Sequence, residues 1–240
     1  MNRRVIVTRD ESDDGPLATA LRAAGLEPVV IPVIRCIASN SARAAADLEG
    51  YDWAIWTSAA AVRTVAPAPG PAKHASVGPR TTAALAEYGV RAAIEGTRGG
   101  AELAERCALE IPAGSRVVYP RSERAGTDLT ETLRNAGLSV DDPVAYRIEP
   151  LHPPDLHKEF DAGVGAVAFA SPSAVEAFAE NLGNDAGRVS DSLVASIGPT
   201  TTRALTARLR SPDVVAAEPT FESLADAIRR AIEQSGQEHR

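Results

Sequence analysis

The feature that most restricts the fold is an internal repeat. Residues 4–35 read RVIVTRDESDDGPLATALRAAGLEPVVIPVIR, and residues 116–147 read RVVYPRSERAGTDLTETLRNAGLSVDDPVAYR. They align without a gap, with identities that include Arg4/Arg116, Arg9/Arg121, Glu11/Glu123, Leu17/Leu129, Leu21/Leu133, Gly25/Gly137, Leu26/Leu138 and Arg35/Arg147. Each copy is a β-branched strand, a polar turn, an amphipathic helix stopped by glycine, and a second strand. That is a βαβ unit, which demands parallel strands and a right-handed crossover.

A second pair of segments follows the same logic. YDWAIWTSAAAVRTV (residues 51–65) corresponds to GAVAFASPSAVEAFA (residues 165–179), each a buried strand ending in small hydroxyl residues before a helix. Next come ASVGPRTTAAL (75–85) and VASIGPTTTRAL (194–205), each a strand, a Gly-Pro turn and threonines at a helix start. Proline suits the first helical turn, and threonine suits capping of exposed backbone N–H groups. The chain order is therefore A, B, A′, B′, and it predicts two α/β domains of similar, flavodoxin-like architecture. Two assemblies fit. In one, A joins B and A′ joins B′ in tandem; in the other, B and A′ form a middle domain inserted between A and B′. The Pro-rich stretch YRIEPLHPP reads as a linker and favours insertion.

In an open parallel sheet, ligands bind beyond the carboxyl ends of the strands. The residues expected there are Thr8-Arg9, Thr57-Ser58, Gly78 to Thr82, Arg121-Ser122, Ser171 to Ser173 and Gly198 to Thr202. Hydroxyls and glycines alone would fit plain helix capping. Arginine at two equivalent strand ends is harder to explain that way, because it opposes the positive helix end unless an anion balances it. Two such edges are expected to face one polyanionic ligand across a cleft.

Other chemistry is set aside by what is missing. There is no G-x-G-x-x-G, no P-loop and no G-x-S-x-G elbow. Cys36 and Cys107 form no metal-binding pattern, and neither do the four histidines. No metal and no organic cofactor are expected. A net charge of −7 without a basic block argues against nucleic acid. No apolar run approaches the ~20 residues that span a bilayer, and the N-terminus does not read as a signal peptide. A cytoplasmic monomer is expected.

Together, VIVTR, YDWAIWTSAAAV, VGPRTTAAL, VAYR and FASPSAV…IGPTTTRAL resemble the uroporphyrinogen-III synthase family over nearly the whole chain. The resemblance implies two flavodoxin-like parallel-sheet domains, the second inserted into the first and joined to it by a two-stranded linker. It places the discontinuous domain at residues 1–35 and 150–240, the inserted one at 40–145, and the crossings at 34–39 and 145–152. It implies a cofactor-free lyase of tetrapyrrole biosynthesis. Linear hydroxymethylbilane, a tetrapyrrole polycarboxylate, would lose water, close and invert its last pyrrole ring through a spiro intermediate. It matches Tyr146 to the family's tyrosine, expected as general acid, with a packed hinge phenol as the alternative. Thr81, Ser171, Thr200 and Thr201 match family substrate contacts, while Thr8, Arg9, Ser58 and Arg121 are added on position alone. Where some members carry Arg or Asn two residues beyond the Thr-Ser turn, this chain has Ala60. A catalytically inactive ligand-sensing module of the same fold is one rival reading. A two-domain enzyme acting on phosphorylated metabolites is the other.

Overall fold

The computed structural model describes residues 2–42, 47–97 and 99–237. The chain divides into an outer unit, residues 1–35 and 149–240, and an inner unit, residues 36–148.

The outer unit is built on β1 (Arg4–Val7), β2 (Glu27–Val30), β11 (Ala166–Phe169), β12 (Leu193–Ser196) and β13 (Val214–Val215). These pair in the order β13-β12-β11-β1-β2, all parallel. Counted along this unit alone, that is the flavodoxin order 2-1-3-4-5. The inner sheet consists of β4 (Trp53–Trp56), β5 (Lys73–Ser76), β6 (Ala92–Glu95), β7 (Arg116–Val118) and β9 (Ser139–Asp141). Its order is β6-β5-β4-β7-β9, again all parallel.

The two sheets match strand for strand, with β7 and β9 standing where β1 and β2 stand, and β4, β5, β6 where β11, β12, β13 stand. The outer unit takes its first βαβ segment and then its second. The inner unit takes them in the opposite order, so it is a circular permutation of the outer one. A chain of order A, B, A′, B′ produces this whenever its middle half folds together.

Local sequence explains the elements. Helix α1 (Pro16–Ala23) opens on proline, and Gly25 follows its end at φ 76°. Leu26 N–H then donates to Leu21 O and Gly25 N–H to Arg22 O. The repeated helix of the inner unit, Asp128–Asn135, ends identically: Gly137 has φ 83°, Leu138 donates to Leu133 O and Gly137 to Arg134 O. Both are Schellman endings, and the matched Gly-Leu pairs are their signature.

Both faces of each sheet are buried, as a parallel sheet wrapped by helices requires. In β4 the alternation is visible residue by residue. Trp53 and Ile55 join the cluster of Leu103, Cys107, Leu129 and Leu133, while Ala54 and Trp56 join Val62, Leu85 and Tyr146. In the outer unit Val5 and Val7 pack with Leu17, Leu21, Leu224 and Ile228.

The connecting ladder has one strand more than expected. Beside β3 (Ile34–Ala38) and β10 (Val144–Pro150) lies β8 (Arg121–Ser122), giving the order β3-β10-β8. The added strand is short because Pro120 cannot donate to a ladder. Arg121 N–H nonetheless reaches Pro143 O at 3.1 Å and Glu123 N–H reaches Tyr146 O at 2.9 Å.

Candidate active site

In a doubly wound sheet the crevice forms where neighbouring strands send their helices to opposite faces. In the inner unit that point lies between β4 and β7, and the residues leaving the two strands are Thr57, Ser58 and Tyr119. Ser58 caps the following helix, α2 (Ala59–Val65): its Oγ accepts from Ala61 N–H at 3.0 Å. The same Oγ lies 2.9 Å from the phenol oxygen of Tyr146. Thr57 Oγ1 lies 3.2 Å from the phenol oxygen of Tyr119. Two consecutive hydroxyls thus hold two tyrosines at the switch point.

Both phenols are buried, Tyr146 at 7% exposure and Tyr119 at 3%. Burial pushes the Tyr146 phenol above its usual value, and hydrogen bonds to Ser58 and Ser122 oppose the rise. Burial likewise raises Tyr119, against the Thr57 contact. Each stays protonated at neutral pH, as a proton donor must. Thr57 and Tyr119 also line a cavity of about 300 Å³ with Gly100, Ala104, Gly126 and Leu129.

The arginines differ from expectation in one respect: each has an anion from its own unit. Arg121 Nε contacts Asp142 Oδ2 at 3.0 Å, and Arg134 reaches the other oxygen of the same carboxylate at 3.0 Å. Arg9 pairs with Glu11 and lies 4.6 Å over the Phe221 ring. Glu11 in turn accepts from Ala18 N–H at 2.8 Å and Leu17 N–H at 3.3 Å, so its carboxylate also meets the head of α1. The strand-end arginine therefore does not require a bound anion to balance it. For Arg9 the compensating carboxylate comes from the same turn, two residues along, and for Arg121 it comes from Asp142, just beyond β9.

The two Gly-Pro-threonine segments form α3 (Pro79–Ala86) and, in the outer unit, Pro199–Arg208. The threonines divide their work by position. Thr81 and Thr201 are buried, at 3% and 1% exposure. Thr82 and Thr202 turn back to the strand: Thr82 Oγ1 lies 2.6 Å from Ser76 Oγ, and Thr202 Oγ1 2.9 Å from Ser196 Oγ. Thr200, which stands where the inner unit has Arg80, is exposed. Capping thus accounts for part of the pattern, and one hydroxyl remains presented.

Of the other expected residues, Ser171 caps the helix Pro172–Leu182, accepting from Ala174 N–H at 3.2 Å as Ser58 does in the inner unit. Thr8 is fully buried and donates to Ala168 O at 2.9 Å. Thr8 therefore ties β1 to β11 rather than presenting a hydroxyl. In the inner unit the structure brings Ser58 and Tyr146 together and adds Tyr119 and Ser122 to them. Tyr119 escaped the sequence reading because VVY passes for an ordinary buried strand. Its one signal is a phenol placed immediately before proline at a strand end. Among the described residues no group of three His, Cys, Asp or Glu could hold a metal ion.

The fold and these strand ends define a class: two-unit α/β proteins built from paired flavodoxin-like sheets, with hydroxyls and phenols at the switch point. The model of the family described as uroporphyrinogen-III synthase HemD matches residues 15–226. A curated uroporphyrinogen-III synthase from Synechococcus elongatus is 30% identical, over 98% of this chain and 97% of that protein. The chain belongs to the uroporphyrinogen-III synthase family. Its fold is shared by a crystal structure of a mutant uroporphyrinogen III synthase from Thermus thermophilus, at TM-score 0.61 and 19% identity over 96% of this chain and 99% of that one. The uroporphyrinogen-III synthetase from Helicobacter pylori 26695 gives TM-score 0.60 at 16% identity, covering all of both chains.

Proposed function

We propose that this chain is a cofactor-free uroporphyrinogen-III synthase, converting hydroxymethylbilane to uroporphyrinogen III with loss of water and inversion of the last pyrrole ring. Family membership supports the reaction. The observation that carries the site is the buried Tyr146 phenol held by the helix-capping hydroxyl of Ser58.

The substrate supplies much of the driving force, since a pyrrole nitrogen stabilises the azafulvenium cation left when the hydroxyl departs. Tyr146 gives its proton to that hydroxyl as the C–O bond breaks, so water leaves and a phenolate remains. The cation is attacked at the substituted carbon of the last ring to give the spiro intermediate. Rearrangement and rearomatisation then release a proton, which restores the phenol. The protein's larger task is to hold the chain so that spiro closure outruns simple head-to-tail closure. Positioning of this kind supplies up to roughly 7–11 kcal/mol in the best intramolecular cases.

Substrate carboxylates would be met by Thr200, by Ser171 and by the backbone N–H groups opening the helices after β5 and β12. Thr81 and Thr201 are assigned to holding those turns in shape, and Thr8 to joining two strands. Arg9 and Arg121 are each paired with a carboxylate of their own unit and would have to exchange it to meet a substrate carboxylate. Within this reading the discontinuous and inserted domains span 1–35 with 150–240, and 40–145. The protein is a cytoplasmic monomer whose partner is its small-molecule substrate. No helix among the described residues is long and apolar enough to cross a membrane.

Incubating purified protein with freshly generated hydroxymethylbilane and resolving the oxidised uroporphyrin isomers tests the proposal. Type III in excess is the expected result, unchanged after exhaustive chelation and gel filtration. The type I isomer alone would overturn it.

A further inference from the structure

We propose that Ser122 is a positioning residue for Tyr146. From the added strand of the ladder, its hydroxyl donates to the phenol oxygen and, with Ser58, holds the phenolate that remains after proton transfer. The inference rests on the reading of Tyr146 as the acid.

The register carries it. β8 and β10 are parallel, and Ser122 is the partner of Tyr146 across the ladder. The register shifts between Val144 and Tyr146, and this irregularity sets Ser122 opposite Tyr146 rather than opposite Ala145. The backbone is fixed on both sides of the pair, by Arg121 N–H to Pro143 O and Glu123 N–H to Tyr146 O. Arg121, anchored on Asp142, also reaches the Ser122 carbonyl at 3.3 Å. The serine is therefore held by its own strand, by the ladder and by a neighbouring cation.

The need for a second donor follows from burial. A phenolate at 7% exposure has lost most of its solvation, and only hydrogen bonds can replace it. Ser58 Oγ already accepts from Ala61 N–H, which leaves its own proton for Tyr146. A phenolate oxygen accepts more than one hydrogen bond, and Ser122 supplies the next. The groups that pull the phenol back toward its usual acidity are these two hydroxyls. Ser58 comes from the end of β4 and Ser122 from beyond β7, so both sides of the switch point contribute to one proton donor.

Two measurements on the full chain test this. Fluorine NMR of a fluorotyrosine incorporated at position 146 follows its ionisation without any substrate. Ser122→Ala should raise that titration midpoint, and Ser122→Thr should restore it. In turnover, Ser122→Ala should lower kcat about three- to tenfold with KM within about twofold, as expected for the net contribution of one hydrogen bond made in the transition state. In a Tyr146→Phe background the same substitution should change kcat less than about twofold. An unmoved midpoint in Ser122→Ala, or an equal loss of kcat in the Tyr146→Phe background, would overturn the proposal. If wild-type protein forms no excess of the type III isomer, the functional reading fails, and the midpoint alone still decides the Ser122 contact.

Discussion

Trp56 and His74 are locked together inside the inner unit: the indole Nε1–H donates to His74 Nδ1 at 3.0 Å, and the ring planes lie within 14° of each other. Accepting that bond requires an unprotonated Nδ1. Burial lowers the His74 pKa from its ordinary 6.5 to about 4. The unfolded chain therefore binds the proton more tightly than the folded one. The stability this neutral imidazole contributes is complete above pH 6.5 and is lost as pH falls toward about 4. The loss should reach at most about 3 kcal/mol. Both tryptophans of the chain, Trp53 and Trp56, lie in β4, so their fluorescence reports on the inner unit alone. Urea titrations followed by tryptophan fluorescence should give a lower midpoint at pH 5 than at pH 7. A His74→Leu variant should be less stable at pH 7 and should lose much of that pH dependence.

Tyr146→Phe removes one oxygen and leaves the ring in its cluster. General acids contribute typically ~10²–10⁴-fold, and here the pyrrole nitrogen assists ionisation, so a kcat loss at or below the low end is expected. Type III should remain the main enzymatic product, because the surface that shapes the substrate is unchanged. Burial holds the wild-type phenol above its usual 10.0, so the acid form persists throughout the neutral range. The tyrosine-dependent part of kcat should accordingly be flat from pH 7 to 9. Steady-state kinetics with isomer analysis reads both quantities. An unchanged kcat would assign Tyr146 to packing.

Thr200 and Thr202 make a matched comparison two residues apart. Thr200 is exposed, so Thr200→Ala should raise KM by the equivalent of roughly 0.5–1.5 kcal/mol with no change in unfolding midpoint. Thr202 is bound to Ser196 Oγ, which itself accepts from Gly198 N–H at 3.3 Å. Thr202→Val should therefore lower stability by about 0.5–2 kcal/mol through the turn it secures. Chemical unfolding beside steady-state kinetics separates the two outcomes.

Glu11 has a side chain only 4% exposed and joins Arg9 to the head of α1. Glu11→Ala should cost the outer unit about 2–4 kcal/mol, since it removes one partner of a largely buried ion pair together with a helix cap. Glu11→Gln keeps an oxygen for the α1 amides and should cost less. Circular dichroism during thermal unfolding measures both. The close packing of Glu11 also restricts Gly15: a Cβ there would lie 2.6 Å from the Glu11 side chain, so Gly15→Ala should destabilise as well.

Sequence by itself determined most of the elements, their order and the family. A repeated strand, helix and Gly-Leu stop are local devices, and Gly25-Leu26 with Gly137-Leu138 close their helices within six residues. The capping roles of Ser58 and Ser171 were legible for the same reason. Tertiary structure decided what depends on distant segments. Strands buried on both faces, such as WAIW and AVAF, carry no alternation to mark their neighbours, so residues alone left tandem and inserted assemblies open. The strand pairings give the inner unit its permuted order, β4 beside β7 rather than β1. Burial was equally nonlocal. Thr8 and Thr200 look alike along the chain, yet one is sealed beneath β11 and the other exposed. Ser122 meets Tyr146 only because a two-residue strand joins the ladder across a register shift, and no spacing in the sequence encodes a contact made 24 residues away.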